Sequence, residues 1–179
     1  MLLTATPQPA RSSWVAAPPR KQLIVGMGDM LASNDASATV VTYSLGSCVG
    51  VAIYDPVAHA GGILHAMLPD SNINISRAQK QPFMFVDTGL PELFHAVYAL
   101  GGAKPRLIVK IAGGAQFLDE NKVFNIGERN TQCTLTMLER NGVKPAAAII
   151  GGCDSRTFRL DLSNGKFTLD VPGKGVFPI

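Results

Sequence analysis

Cys48 and His65, seventeen residues apart, are the residues of this chain best suited to covalent chemistry. A thiol and an imidazole are the minimum set for attack on a carbonyl carbon. The thiolate is the nucleophile, and the imidazole raises its population and later protonates the leaving amine. Cys48 follows Gly46-Ser47 and opens an apolar run, Val49 to Tyr54, which places it where a turn becomes a strand. Backbone N–H groups left free at such a bend stabilise an oxyanion. His65 lies in a second apolar run, Gly62 to Leu68. The turn signals Asp55-Pro56 and Gly61-Gly62 between the runs predict adjacent antiparallel strands. Pairing residue 54 with 59 sets 48 opposite 65, whereas a slip of that register parts them.

Neither residue is diagnostic alone. A buried cysteine is usually a small core hydrophobe, and a lone histidine in an apolar strand is usually a satisfied core residue. Their joint occurrence beside a glycine-containing turn raises the pair above that background. A third group must hold the imidazole tautomer, a task filled by Asn or Asp in papain-like sites. The Thr42 hydroxyl can accept that N–H, although Thr42 is otherwise an ordinary strand former and Ser44 or Ser47 compete for the role. Cys133 and Cys153 have no histidine nearby in sequence and read as packing residues. His59 reads as an exposed loop residue, and His95 as a structural residue beside Phe94 and Val97. With three cysteines and no CxxC pair, neither a zinc knuckle nor a disulfide framework is indicated. Cys48, His65 and His95 lack the close ligand spacing of a metal site, so no metal is expected. A reduced, cytoplasmic protein is the expectation.

The elements that must position these residues follow from pattern. Gln22 to Gly28 reads as a short strand, Asp29 to Ser37 as irregular, and Ala38 to Thr42 as a strand leading into the cysteine turn. The polar stretch Pro69 to Gln81 reads as a loop, long enough for a flap. Phe83 to Leu100 has helical spacing, with Pro91 marking either its start or a kink and Gly101-Gly102 its end. Pro105 to Ala112 reads as a strand, Gly127 to Arg140 as a second helix and Ala146 to Ile150 as a buried strand. Arg156 to Leu162 and Lys166 to Val171 form a hairpin about Ser163-Asn164-Gly165. This order predicts a mixed α+β layered domain rather than regular βαβ units. Gly26-Met27-Gly28 lacks the third glycine and following helix of a dinucleotide fingerprint, and no Walker lysine follows any glycine loop. No cofactor is expected.

Composition narrows the class further. In 179 residues, 46% hydrophobic and 16% charged content suits a folded domain with a substantial core, not a disordered chain or coiled coil. The apolar runs fall short of the roughly 18 to 20 residues of a membrane span. Residues 1–21 lack the continuous apolar stretch of a secretory signal and, with Pro7, Pro9, Pro18 and Pro19, read as a flexible leader before a single domain over 22–179. That leader holds Arg11, Arg20 and Lys21 and no acidic residue. Of the 16 basic and 13 acidic residues, the domain therefore keeps 13 of each, and a neutral body argues against a nucleic-acid surface.

The segment TYSLGSCVGVAIYDPVAHAGGILHAMLPD resembles the signature of the CheD family, the chemoreceptor glutamine deamidases of bacterial and archaeal chemotaxis. Gly26-Met27-Gly28, Lys110 to Ala115, Asn125 to Asn130, and Gly151-Gly152 followed by Arg156 fall in the family's order, so the resemblance spans about residues 22–172. One departure is Ser155, where the family tends to place glycine. The resemblance implies Cys48 as nucleophile, His65 as its base and Thr42 as their support. It implies hydrolysis of glutamine side-chain amides to glutamate through a thioester, on a layered sandwich of β-sheets flanked by helices that is distantly similar to a toxin deamidase. Gly46, Ser47, Gly113 and Gly114 are the expected substrate-binding positions, where small residues let backbone and substrate approach. Chemoreceptor cytoplasmic helices are the implied partner. Two competing readings are docking to a CheC-type phosphatase with catalysis secondary, and a cysteine amidase acting on a small molecule. A monomer without membrane insertion is expected.

Overall fold

The computed structural model describes residues 20–116 and 125–179; of the expected leader over residues 1–21, residues 1–19 lie outside the described residues, and Lys21 already belongs to the first strand, which pairs with Ala38–Thr42. Among the described residues, ten strands form two five-stranded sheets. The first sheet runs in the order β1 (Lys21–Val25), β3 (Ala38–Leu45), β8 (Arg156–Asp161), β9 (Lys166–Val171) and β10 (Gly175–Pro178). The second runs β2 (Asp29–Ser33), β5 (Ala60–Ala66), β4 (Val49–Asp55), β6 (Ile108–Gly113) and β7 (Ala147–Ile150). The described residues also form three α-helices: α1 (Ile75–Lys80), α2 (Val86–Ala99) and α3 (Ile126–Arg140). The α+β layered class read from the sequence is the class observed.

The layers follow from side-chain alternation. Val40, Leu45, Phe158, Leu160 and Leu169 of the first sheet pack on Ala52, Tyr54 and Ile63 of the second. The opposite face of the second sheet, with Val49, Val51, Ile53, Leu64 and Ile111, packs on Val86, Leu90, Leu93 and Val97 of α2 and Leu138 of α3. The second sheet is therefore the middle layer, and every residue of β4 and β5 is buried. Burial on both faces is why those two strands read as continuous apolar runs rather than as alternation. Each fully buried Val, Leu or Ile there contributes about 1.5–3 kcal/mol relative to exposure.

The predicted hairpin is present with a different register. Tyr54 pairs with Gly61 rather than with residue 59, so Gly50, not Cys48, stands opposite His65. The cause lies in the turn: the Asp55 carboxylate accepts the N–H groups of Val57 and Ala58, and His59 takes a positive φ of 49°, which gives a longer loop. The offset is two residues, so every side chain keeps its face. Burial alone would raise the Asp55 pKa, but Arg106 and the N–H groups of Ala58, Ala103 and Val57 hold the carboxyl well below the usual carboxylate range.

Other expectations need correction. Asp29 to Ser33 is a regular strand, because pairing with β5 overrides its turn-forming composition. Pro69 to Gln81 is not a plain loop: it holds a 3₁₀ turn over Ser71–Ile73, and α1, which Asn74 caps at the Arg77 N–H. The α2 helix begins at Val86, five residues ahead of Pro91. The strand at Ala147–Ile150 is an edge strand paired parallel with β6 and is largely exposed, not buried. β10, unforeseen, adds antiparallel to β9 at the other sheet's edge. No described helix is long and apolar enough to cross a membrane.

Candidate active site

β3 leaves the first sheet at Leu45, and the chain enters the second sheet at Val49. Gly46-Ser47-Cys48 is thus the crossover between layers. A register shift between Thr42 and Leu45, with Ser44 at a positive φ of 57°, turns β3 toward it. Cys48 is half-buried and packs against the inter-sheet core, on the side of the middle sheet that carries His65. Its partner strand, β5, aims His65 at the first sheet, where Thr42 of β3 meets it. The contact between Thr42 and His65 therefore spans the two layers, a relation that no sequence spacing could express.

Both residues are fully buried. Thr42 Oγ1 donates to the Val25 carbonyl at 2.9 Å and lies 2.7 Å from His65 Nδ1. A hydroxyl has one proton and a carbonyl only accepts, so the proton goes to Val25 and Nδ1 must donate to Thr42. That assigns the tautomer: Nδ1 carries the hydrogen and Nε2 carries the lone pair. His65 Nε2 is buried and has no hydrogen-bond partner among the described residues. Burial lowers the His65 pKa to about 4. Burial pushes the Cys48 thiol up, an effect partly offset by its own backbone N–H. The resting pair at neutral pH is accordingly thiol and neutral imidazole, not thiolate and imidazolium. Such a pair acts by general-base transfer during attack.

The glycines expected to receive substrate serve the backbone first. Gly114 N–H donates to the Cys48 carbonyl and Ala115 N–H to the Gly46 carbonyl, both at 2.8 Å. Gly114 N–H is therefore committed to shaping the crossover rather than free for an oxyanion. Gly113 has a φ of 105°, and a Cβ there would lie 2.3 Å from the Cys48 carbonyl oxygen. Buried Arg156 steadies this corner by donating to the carbonyls of Gly113 and Gly151. Gly113→Ala is expected to destabilise the protein by about 2–4 kcal/mol, since positive-φ strain alone costs about 1–3; an unchanged urea midpoint would contradict this. Gly46 is partly buried and Ser47 exposed at the crossover.

The remaining candidates stand apart. Cys133 of α3 donates to the Pro69 carbonyl, and Cys153 is exposed. His59 is exposed as expected and bonds Tyr54. His95 is exposed on α2, 3.6 Å from Glu92. It belongs to the helical layer, on the far side of the middle sheet from the face His65 presents, which rules out a shared metal. Among the described residues no group of three His, Cys, Asp or Glu is placed to hold a metal ion. A cavity of about 160 Å³ between α2 and α3 is lined by Leu90, Phe94, Tyr98 and Met137, and by none of Thr42, Cys48 or His65. One polar residue at the crossover escaped sequence reasoning: Asn130, wholly buried on α3. Its signal was an asparagine on the helix stripe Gly127, Asn130, Thr134, Leu138 that faces the protein interior.

A family model for CheD chemotactic sensory transduction matches residues 67–171, more than half of the chain. A protein of Solibacter usitatus named "Probable chemoreceptor glutamine deamidase CheD" is 43% identical over 154 residues, covering 86% of this chain and 91% of its own. One of Syntrophus aciditrophicus, "Probable chemoreceptor glutamine deamidase CheD 1", is 45% identical over 151 residues, covering 84% and 94%. A crystal structure of a Neisseria meningitidis protein of the family model DUF152 overlaps with a TM-score of 0.48 at 10% identity, covering 75% of this chain and 64% of its own, too loosely to bear on function. With relatives alike over nearly their whole length, the chain belongs to the CheD family.

Proposed function

We propose that this protein hydrolyses glutamine side-chain amides of chemoreceptors to glutamate, with Cys48 as nucleophile, His65 as general base and acid, and Thr42 as the group that orients the imidazole. The observation that carries the mechanism is the Thr42 hydroxyl, whose proton is committed to Val25 and whose oxygen accepts from Nδ1. Nε2 is left as a proton acceptor, which is what a neutral thiol requires. The substrate class comes from the names of the relatives.

The steps balance. As Cys48 Sγ bonds to the carboxamide carbon, its proton passes to Nε2 and the carbonyl electron pair moves onto oxygen. Backbone N–H groups of the 46–48 crossover stabilise that oxyanion. The C–N bond then breaks, Nε2–H protonates the nitrogen and ammonia leaves. Water attacks the thioester, giving its proton to Nε2; the C–S bond breaks and the thiol recovers that proton. The substrate is a folded helical surface, which suits a half-buried Cys48. Beside the His65 strand lies an open cleft of about 380 Å³ lined by Met27, Gly28, Met67, Arg77, Lys80 and Met84, with Met27 65% exposed at its rim. The protein works as a cytoplasmic monomer in this reading, and Gly46 and Ser47 contact the substrate.

Incubation with purified chemoreceptor cytoplasmic fragments is expected to release ammonia in proportion to added receptor. A folded protein that releases none from any receptor overturns the proposal in favour of docking to a CheC-type phosphatase. Two further results are expected. Thr42→Val removes the acceptor from Nδ1–H, and kcat falls about 10²- to 10³-fold with KM little changed, less than the roughly 10⁴ lost when a charged orienting group is removed; Thr42→Ser restores most of it. If Thr42→Val turns over like wild type, the orienting role is wrong. Second, the acid limb of kcat/KM lies near pH 4 rather than 6.5, because only neutral His65 accepts the proton. Stability also declines as pH falls from 6.5 toward 4, where the unfolded chain binds a proton the folded one does not. An acid limb at pH 6.5 in a pH–rate profile would contradict the buried neutral imidazole.

A further inference from the structure

Beyond the Cys48, His65 and Thr42 set, we infer that Asn130 is a positioning residue: its side-chain amide clips the cysteine crossover to the end of the histidine strand. The inference rests on the mechanism above. The ladder between β4 and β5 has its last pair at Val49 and Ala66. Continued one step, it would pair Cys48 with Met67. Instead β5 diverges, since the N–H groups of Met67 and Leu68 both donate to the Met84 carbonyl. The gap that opens lies between the residue before the nucleophile and the segment just after the base. Asn130 Nδ2 fills it, donating to the Ser47 carbonyl at 3.0 Å and the Met67 carbonyl at 2.9 Å.

The chemistry of the clip is restrictive. Both partners are carbonyl oxygens, so the bridging group must supply two hydrogens from one atom, as a side-chain amide nitrogen does. An aspartate offers none when ionised, and a serine only one. The orientation has a cost: Asn130 Oδ1 is buried without a hydrogen-bond partner among the described residues. A buried acceptor left unsatisfied is destabilising. The amide is thus held with its donors on the two strand ends at the expense of its acceptor. Packing alone would be served better by an apolar side chain. A shift of about 1 Å between nucleophile and base is enough to cost roughly 10²-fold in rate, and this clip is what opposes it.

The test reads the Cys48–His65 couple without any receptor. Alkylation of Cys48 by iodoacetamide is followed by peptide mass spectrometry from pH 5 to 9, which separates it from Cys133 and Cys153. Wild type is expected to show a reactive plateau at low pH that His65→Gln lacks. Asn130→Ala and Asn130→Asp are expected to lose about tenfold or more of that plateau. Thr134→Val, which removes a hydrogen bond to the Asn130 carbonyl in the same helix, is expected to lower the melting temperature yet keep the plateau. Should Asn130→Ala unfold, Asn130→Ser, which keeps one donor, carries the comparison. Folded Asn130 variants with the wild-type plateau overturn the positioning role alone. Wild type and His65→Gln alike across the range overturn the Cys48–His65 mechanism along with it.

Discussion

Cys48→Ala is expected to abolish ammonia release, by at least about 10⁴-fold, while leaving the protein folded. Loss of a covalent nucleophile removes the whole thioester route, so little beyond substrate binding is left to accelerate the reaction. The fold should survive because Cys48 is half-buried at the rim of the inter-sheet core. The exchange deletes one sulfur at a place where the crossover is held by backbone bonds from Gly114 and Ala115. Cys48→Ser should be nearly as inactive. An imidazole whose pKa lies at about 4 is a weak base, and a serine hydroxyl is far harder to deprotonate than a thiol. The assay is ammonia release per receptor, beside melting curves for each variant. Residual activity above about 1% of wild type in a folded Cys48→Ala would remove Cys48 from the chemistry.

His65→Gln is the second large effect, expected at about 10³-fold in kcat, within the range of general acid–base contributions. Glutamine can still reach toward Thr42, but it has no basic nitrogen to receive the thiol proton or to return it to the leaving amine. Since the resting couple is neutral, no preformed thiolate stands ready to compensate. Activity in the variant should then rise with pH as the thiol ionises by itself, with no plateau at low pH. Rates that match wild type at pH 6 would show that another group takes the proton. A stability loss of about 1–3 kcal/mol is also expected from a buried side chain whose polar atoms are imperfectly paired.

Much of the architecture was legible because its signals are local. The two apolar runs around Cys48 and His65 announce a buried hairpin, and the spacing of Val86, Leu90 and Val97 announces α2. What failed depended on partners distant in sequence. Asp29–Ser33 looks irregular until β5 lies beside it, and Ile149 and Ile150 look buried until β7 proves to be an edge. The hairpin register turned on one side chain, Asp55, which lengthens the turn by gathering N–H groups from Val57 and Ala58. In the site, residue types pointed to Cys48 and His65 and offered Thr42 beside Ser44 and Ser47; the resemblance singled out Thr42. Its bond to His65 crosses between sheets, and Asn130 reaches the crossover from 83 residues further along the chain. Neither relation leaves a mark in local pattern.

The most direct measurement is intact-mass analysis of purified chemoreceptor cytoplasmic fragments after incubation with wild type, beside Cys48→Ala. Conversion of a carboxamide to a carboxylate adds about one dalton per site through the thioester route. That gain is expected with wild type alone, mapped by peptide sequencing to glutamines that become glutamates. A gain with both proteins, or none with a folded wild type on any receptor, would contradict it.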